Sequence, residues 1–141
     1  MEKLKVKMAL VLDQNFVKPL GTFCARGLPS KAAYQLGRCL KAINEANAEA
    51  LALNDKQIVT YGEAVMVDDK PAKNEKGQPL FKFSEENQKI VDKERKDLME
   101  VEVELPISEK IKLSHAKLDE LKIYPTPYEM EAADHLVEFV D

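Results

Sequence analysis

The sequence predicts an α+β fold: one long helix packed on a small, mainly antiparallel sheet, with two or three shorter helices. Three observations lead there. Residues 30–57 are free of proline and rich in Ala, Leu, Glu and Lys, residue types that lose little on entering a helix. Residues 4–10 and 101–105 alternate apolar and charged side chains, the period of a half-buried strand. Two late segments headed by Ser114 and Thr126 carry helix-start signatures. A chain of 141 residues buries roughly two thirds of its unfolded surface, enough for one domain spanning 1–141.

The first strand is read over residues 3–12. Leu4, Val6, Met8 and Leu10 line one side and Lys5 and Lys7 the other, with the stretch 9–12 buried on both faces. Outward lysines blunt an exposed sheet edge, or meet an acidic partner. Residues 13–29 hold Pro19, Gly21, Gly27 and Pro29 and read as a connector. Phe16, Val17, Leu20, Phe23 and Leu28 pack it onto the body and make it a candidate contact surface.

The long helix starts at Pro29-Ser30. Leu36, Leu40, Ile43, Asn47 and Ala50 recur at spacings of four and three, which places them on one stripe. At ~1.5 Å per residue the helix runs roughly 40 Å. Asn47 either sets the register of a helical seam or sits at the margin of an ordinary amphipathic helix. Residues 58–67 and 80–83 read as strands, and 68–79 (DDKPAKNEKGQP) as the exposed, mobile tip of a hairpin.

Ser84 caps a helix over 85–100 whose first turn is acidic and whose apolar stripe is thin: Ile90, Val91, Leu98, Met99. In 101–105 (VEVEL) the valines and Leu105 face in, and Glu102 and Glu104 face out. Pro106 interrupts, and Ile107, Ile111 and Leu113 continue as a neighbouring strand. Ser114 caps the next helix, with Leu113 and Leu118 at staple positions. Thr126-Pro127-Tyr128-Glu129 is a capping box with proline at the first helical position. The final helix puts Met130, Ala133, Leu136, Val137 and Val140 on one face and Glu131, Asp134 and Glu138 on the other.

Charge is sorted along the chain. Residues 1–41 carry eight Lys/Arg against two acids, residues 119–141 carry seven acids against one base, and the total is −4. The candidate binding residues follow: Lys5, Lys7, Arg26, Lys31 and Arg38 at the basic end, and Glu131, Asp134 and Glu138 at the acidic end. Such ends pair with each other, with another copy, or with two partners. The negative total opposes bulk nucleic-acid binding, which draws on a basic surface.

No catalytic constellation stands out, and no cofactor is expected. His115 and His135 have no cysteine pair near them, which argues against a metal. The acids at 68, 69 and 75 lack the spacing and central glycine of a calcium loop. No Gly-Lys-Ser/Thr phosphate loop occurs. Cys24 and Cys39 read as free thiols of a reducing cytosol; either could formally pair with a histidine as a nucleophile, but nothing in the sequence places them together. The longest apolar run, 8–12, is far short of the ~20 residues of a membrane span, and no secretory signal is read at the start.

From Leu28 onward the layout resembles small phage-encoded proteins of unassigned function. The matching pieces are LPSKAAYQLGRCLKAINEA as an opening helix, a polar spacer, a Glu/Lys-rich helix, and VEVELPISEKIKLSHAKLDEL. The resemblance brings no activity and no catalytic residues. It implies a phage or prophage origin. The expectation is therefore a non-enzymatic protein of the host cytoplasm or the virion that works by protein–protein binding: an assembly component with head-to-tail self-contacts and a homo-oligomeric state. The alternative is a small inhibitor of a host protein acting through its acidic C-terminal helix.

Overall fold

The computed structural model describes residues 2–141, and it is α+β. In chain order the elements are β1 (Lys5–Lys7), α1 (Met8–Val11), α2 (Gln14–Cys24), α3 (Ser30–Tyr61), β2 (Glu63–Ala64), β3 (Met66–Val67), β4 (Lys70–Pro71), β5 (Phe81–Lys82), α4 (Glu85–Met99), β6 (Glu102–Glu104), β7 (Ile111–Ser114), α5 (His115–Glu120), α6 (Pro127–Ala133) and β8 (Val137–Val140). The strands form four two-stranded pairs, three antiparallel and one parallel. The chain divides into two compact units, Met1–Asn47 with Glu100–Asp141, and Ala48–Met99.

In the first unit β1 runs antiparallel to β6, with Lys5 opposite Glu104 and Lys7 opposite Glu102. The strand expected to continue through residue 12 stops at Lys7. The Met8 N–H donates to the Val101 carbonyl, and the chain then closes one helical turn, α1, that buries Met8 and Val11.

The expected connector at 13–29 is largely helix α2. Asp13 caps it, its carboxylate accepting from the Asn15 N–H at 2.9 Å. Phe16, Leu20 and Phe23 fall at i, i+4 and i+7 and are all buried. Fully burying each such side chain is worth about 1.5–3 kcal/mol, which together outweighs the about 3 kcal/mol that Pro19 costs inside a helix.

Within this unit α3 buries Ala32, Leu36, Cys39, Ile43 and Ala46, a strict alternation of four and three. Asn47 is tied to the N-terminal segment: its Nδ2 donates to the Val11 carbonyl at 3.0 Å, satisfying one of the carbonyls left open where α1 ends.

The C-terminal half closes the core. Ser114 caps α5 by accepting from the Lys117 N–H, and Leu113 and Leu118 are both buried beside it. α6 begins with the capping box as expected, but it ends at Ala133. Residues 137–140, expected as helix, form β8 parallel to β7, with Ile111 opposite Val137 and Lys112 opposite Glu138. Backbone pairing with β7 overrides the local helical pattern. Phe23 and Phe139 meet edge to face at 6.1 Å, and Phe16 meets the His135 ring the same way at 5.3 Å.

In the second unit α3 continues through Tyr61, past its expected end near Gln57 and into residues expected as strand. Gln57 and Tyr61 both bond Glu94 of α4, which holds that extra turn. The helix closes with the Gly62 N–H donating to the Ile58 carbonyl at 2.8 Å, where a Cβ on residue 62 would collide with that same carbonyl. α4 starts at Ser84, which accepts from the Asn87 N–H.

Between the helices the chain builds a β-arm. β2 pairs with β5, and β3 with β4. The two-residue turn Asp68-Asp69 has both φ values positive, 52° and 62°, the type I′ geometry that matches strand twist and that Asp tolerates. A second turn is organised by Asn74, whose Oδ1 accepts from the N–H groups of Lys76 and Gln78, with Gly77 at φ 75°. The exposed segment 68–79 is thus two successive tight turns.

Candidate functional site

Much of the sorted charge is matched inside the molecule. Lys7 donates to Glu100 at 2.9 Å, while Lys5 and Lys3 lie 3.9 Å from Glu102 and Glu104. The lysines in and just before β1 therefore face glutamates in and just before β6. All six side chains are exposed, and such pairs are individually worth little. They place those lysines beside carboxylates of the same chain.

Arg26 is used more firmly. Its Nε and Nη2 donate to the two carboxylate oxygens of Glu129 at 2.5 and 2.6 Å. Glu129 is only 4% exposed. It is also the closing member of the capping box, accepting from the backbone N–H and hydroxyl of Thr126. A fork-on-fork pair of this kind adds direction as well as attraction. It ties the loop after α2 to the start of α6, 103 residues away.

The Arg26 guanidinium, backed by the Thr126 N–H, holds the Glu129 carboxyl below its ordinary 4.5. A carboxylate lowered on folding adds stability that is complete above its unfolded pKa and is lost as the pH falls through the folded value. Wild-type unfolding midpoints should therefore drop on acidification below about pH 4.5 more steeply than those of Glu129→Gln. Urea melts across that window decide it, and parallel slopes would show that the pair carries no linkage.

The three acidic candidates do not share a helix face. Glu131 lies in α6, Asp134 is its C-cap residue, and Glu138 is on β8 opposite Lys112. Lys31 and Arg38 lie on the exposed side of α3, each lining a cavity of the first unit. Arg38 also sits over the Tyr34 ring at 5.8 Å.

A surface absent from the sequence-based expectations lies in Ala48–Met99. Among the described residues fourteen large apolar or aromatic side chains are exposed, and nine are in this unit. Leu51, Leu53 and Val59 belong to α3, Met66, Val67, Leu80 and Phe81 to the arm and its edge, and Ile90 and Met99 to α4. Val59 is 80% exposed. Only Ala50 and Val91 are buried apolar residues of this unit.

The seam between the two helices of that unit is polar instead. The Gln57 amide donates to Glu94 at 2.6 Å, Arg95 donates to the Gln57 carbonyl oxygen at 3.1 Å, and the Asn87 amide donates to the Tyr61 carbonyl at 3.1 Å. These polar bonds join the two helices, in which Ala50 and Val91 are buried, while most of the unit's large apolar side chains stay exposed. The available signal was the thin stripe of α4, too narrow to cover its partner.

Reactive chemistry finds little footing. Burial pushes the thiols of Cys24 and Cys39 up to about 11, which leaves almost no thiolate at neutral pH. The His135 and His115 rings pack on Phe16 and Phe139. Among the described residues no group of three or more His, Cys, Asp or Glu is placed to hold a metal ion, and no helix is long and apolar enough to cross a membrane. Compared with protein-family models, curated proteins and solved structures, the chain matches none of them.

Proposed function

We propose that this chain is a non-enzymatic protein that works by contact with further copies of itself, as an assembly component of a phage-type particle. The observation that carries the reading is the concentration of exposed apolar side chains in Ala48–Met99, nine of the fourteen among the described residues. Exposed apolar side chains mark contact sites where they adjoin one another, and the paired strands of the arm carry Met66, Val67 and Phe81. The unit holds eleven Asp/Glu and nine Lys/Arg, so two copies approach without strong repulsion. The phage setting rests on the resemblance in layout, and it puts the protein in the host cytoplasm and then in the virion.

The driving force in this reading differs from charge-led head-to-tail docking. Four of the eight basic residues in 1–41, namely Lys3, Lys5, Lys7 and Arg26, already hold carboxylates of the same chain. The host-inhibitor alternative has less support, because its acidic residues are divided between α6, its C-cap and β8. Absolute mass by light scattering after size exclusion tests the reading. The chain mass is 15.9 kDa. At least twice that is expected at micromolar concentration, retained between ~50 and ~500 mM salt because apolar contact is screened little. A monomer at both salt concentrations would remove the reading.

A further inference from the structure

The second candidate surface is basic and lies wholly in the first unit. Lys31, Tyr34, Arg38, Lys41 and Glu45 follow one another at spacings of three and four along α3, so they form one stripe. Two separate cavities, of about 380 and 420 Å³, border it. The facing wall of the first is the run 109–114, and that of the second is 104–106. Both have α3 on one side and part of 104–114 on the other, the two walls of a groove.

Two features of the groove point to what fits it. The first is charge. Lys110, Lys112 and Lys117 come from the facing wall to meet Lys31, while Arg38 and Lys41 line the far end. Among the described residues Lys31, Arg38, Lys41, Lys110 and Lys112 make no ion pair, unlike the lysines of β1. In a chain with a total charge of −4, five unpaired cations thus line these two cavities.

The second feature is a strand edge. β7 pairs only with β8 among the described residues, so its other edge carries no strand. Six consecutive residues, 109–114, line the cavity. All four residues of β7 are among them, as expected for a strand whose edge borders the cavity. Unpaired N–H and C=O groups on an edge are a template for a further strand.

We propose that this groove binds an extended acidic peptide segment of another protein, added as a third strand on the edge of β7 with its carboxylates on the surrounding lysines. From Lys31 to Glu45 the groove spans roughly 21 Å at ~1.5 Å per helical residue, the length of about six extended residues. Alternation along such a peptide puts its acidic side chains on one face, within reach of Lys31, Lys112 and Arg38. Nucleic acid fits less well, because Glu45, Glu104 and Glu109 also line the walls and would oppose a continuous row of phosphates.

Fluorescence anisotropy with a fluorescein-labelled Glu-Val-Glu-Val-Glu-Val-Glu peptide tests the proposal on the full chain. Saturable binding is expected, weakening about tenfold from ~50 to ~300 mM salt. The Lys31→Glu/Lys112→Glu variant should lose at least about tenfold in affinity, and Lys70→Glu/Lys93→Glu should bind like wild type. Replacing the central valine of the peptide by proline keeps its charge but removes a backbone donor, and should abolish strand addition. The proposal fails if the peptide does not bind, if charge reversal in the groove has no effect, if the proline peptide binds equally, or if heptathymidylate binds more tightly at the same site.

Discussion

Replacing Phe23 by alanine is expected to lower the unfolding free energy by about 3–5 kcal/mol. The side chain is fully buried on α2, which packs against α6, and its ring meets Phe139 of β8 edge to face. The substitution removes apolar contact with two late elements at once and leaves a cavity that rigid neighbours cannot fill. Urea unfolding at an unchanged m-value is the measurement. A loss below about 1 kcal/mol would mean that α2 is not part of the core, as if residues 13–29 were the connector that their Pro19 and Gly21 suggest.

Placing aspartate at Met66 and Phe81 together should weaken self-association on the order of 100-fold while leaving the fold intact. Both side chains are exposed, 54% and 44%, so a charge there costs the isolated chain little. In an interface the same carboxylates would lose their water without a partner. Far-ultraviolet circular dichroism unchanged from wild type, with mass falling to that of one chain, is the expected pair of results. Lys70→Ala, in the same arm, serves as the control and should associate normally. Association unaffected by both aspartates would mean that the arm is not at the interface.

How much of the fold is legible in the sequence follows the range of the interaction involved. Ser84, Ser114 and Thr126 are legible as caps because a cap is decided within three residues. The long helix is legible for the same reason, although its buried stripe includes Ala32, Cys39 and Ala46, small residues that a search for large apolar ones passes over. α2 is signalled by Asp13 as its cap and by the spacing of Phe16, Leu20 and Phe23, signals that Pro19 and Gly21 obscure. β8 cannot be told from the end of a helix by its own residues, because its strand state depends on pairing with β7, on the far side of α5 and α6 in the chain.

The candidate surfaces divide in the same way. Charge sorting is visible in the sequence, and it flags Lys31 and Arg38, which line the groove. Its use is not visible there: the choice of Glu129 by Arg26, and of Glu100 and Glu102 by Lys7 and Lys5, is made by the folded backbone. The apolar face of Ala48–Met99 escapes notice because each of its residues, taken singly, looks like ordinary core. Only their exposure in the folded chain shows that they point away from it.

Backbone hydrogen exchange at low and high protein concentration tests most directly whether that face is a contact surface. Protection in α4 and in the arm from β2 to β5 should rise with concentration, while α2, α6 and β7 exchange at the same rate throughout. Exchange independent of concentration in residues 48–99 would contradict the account.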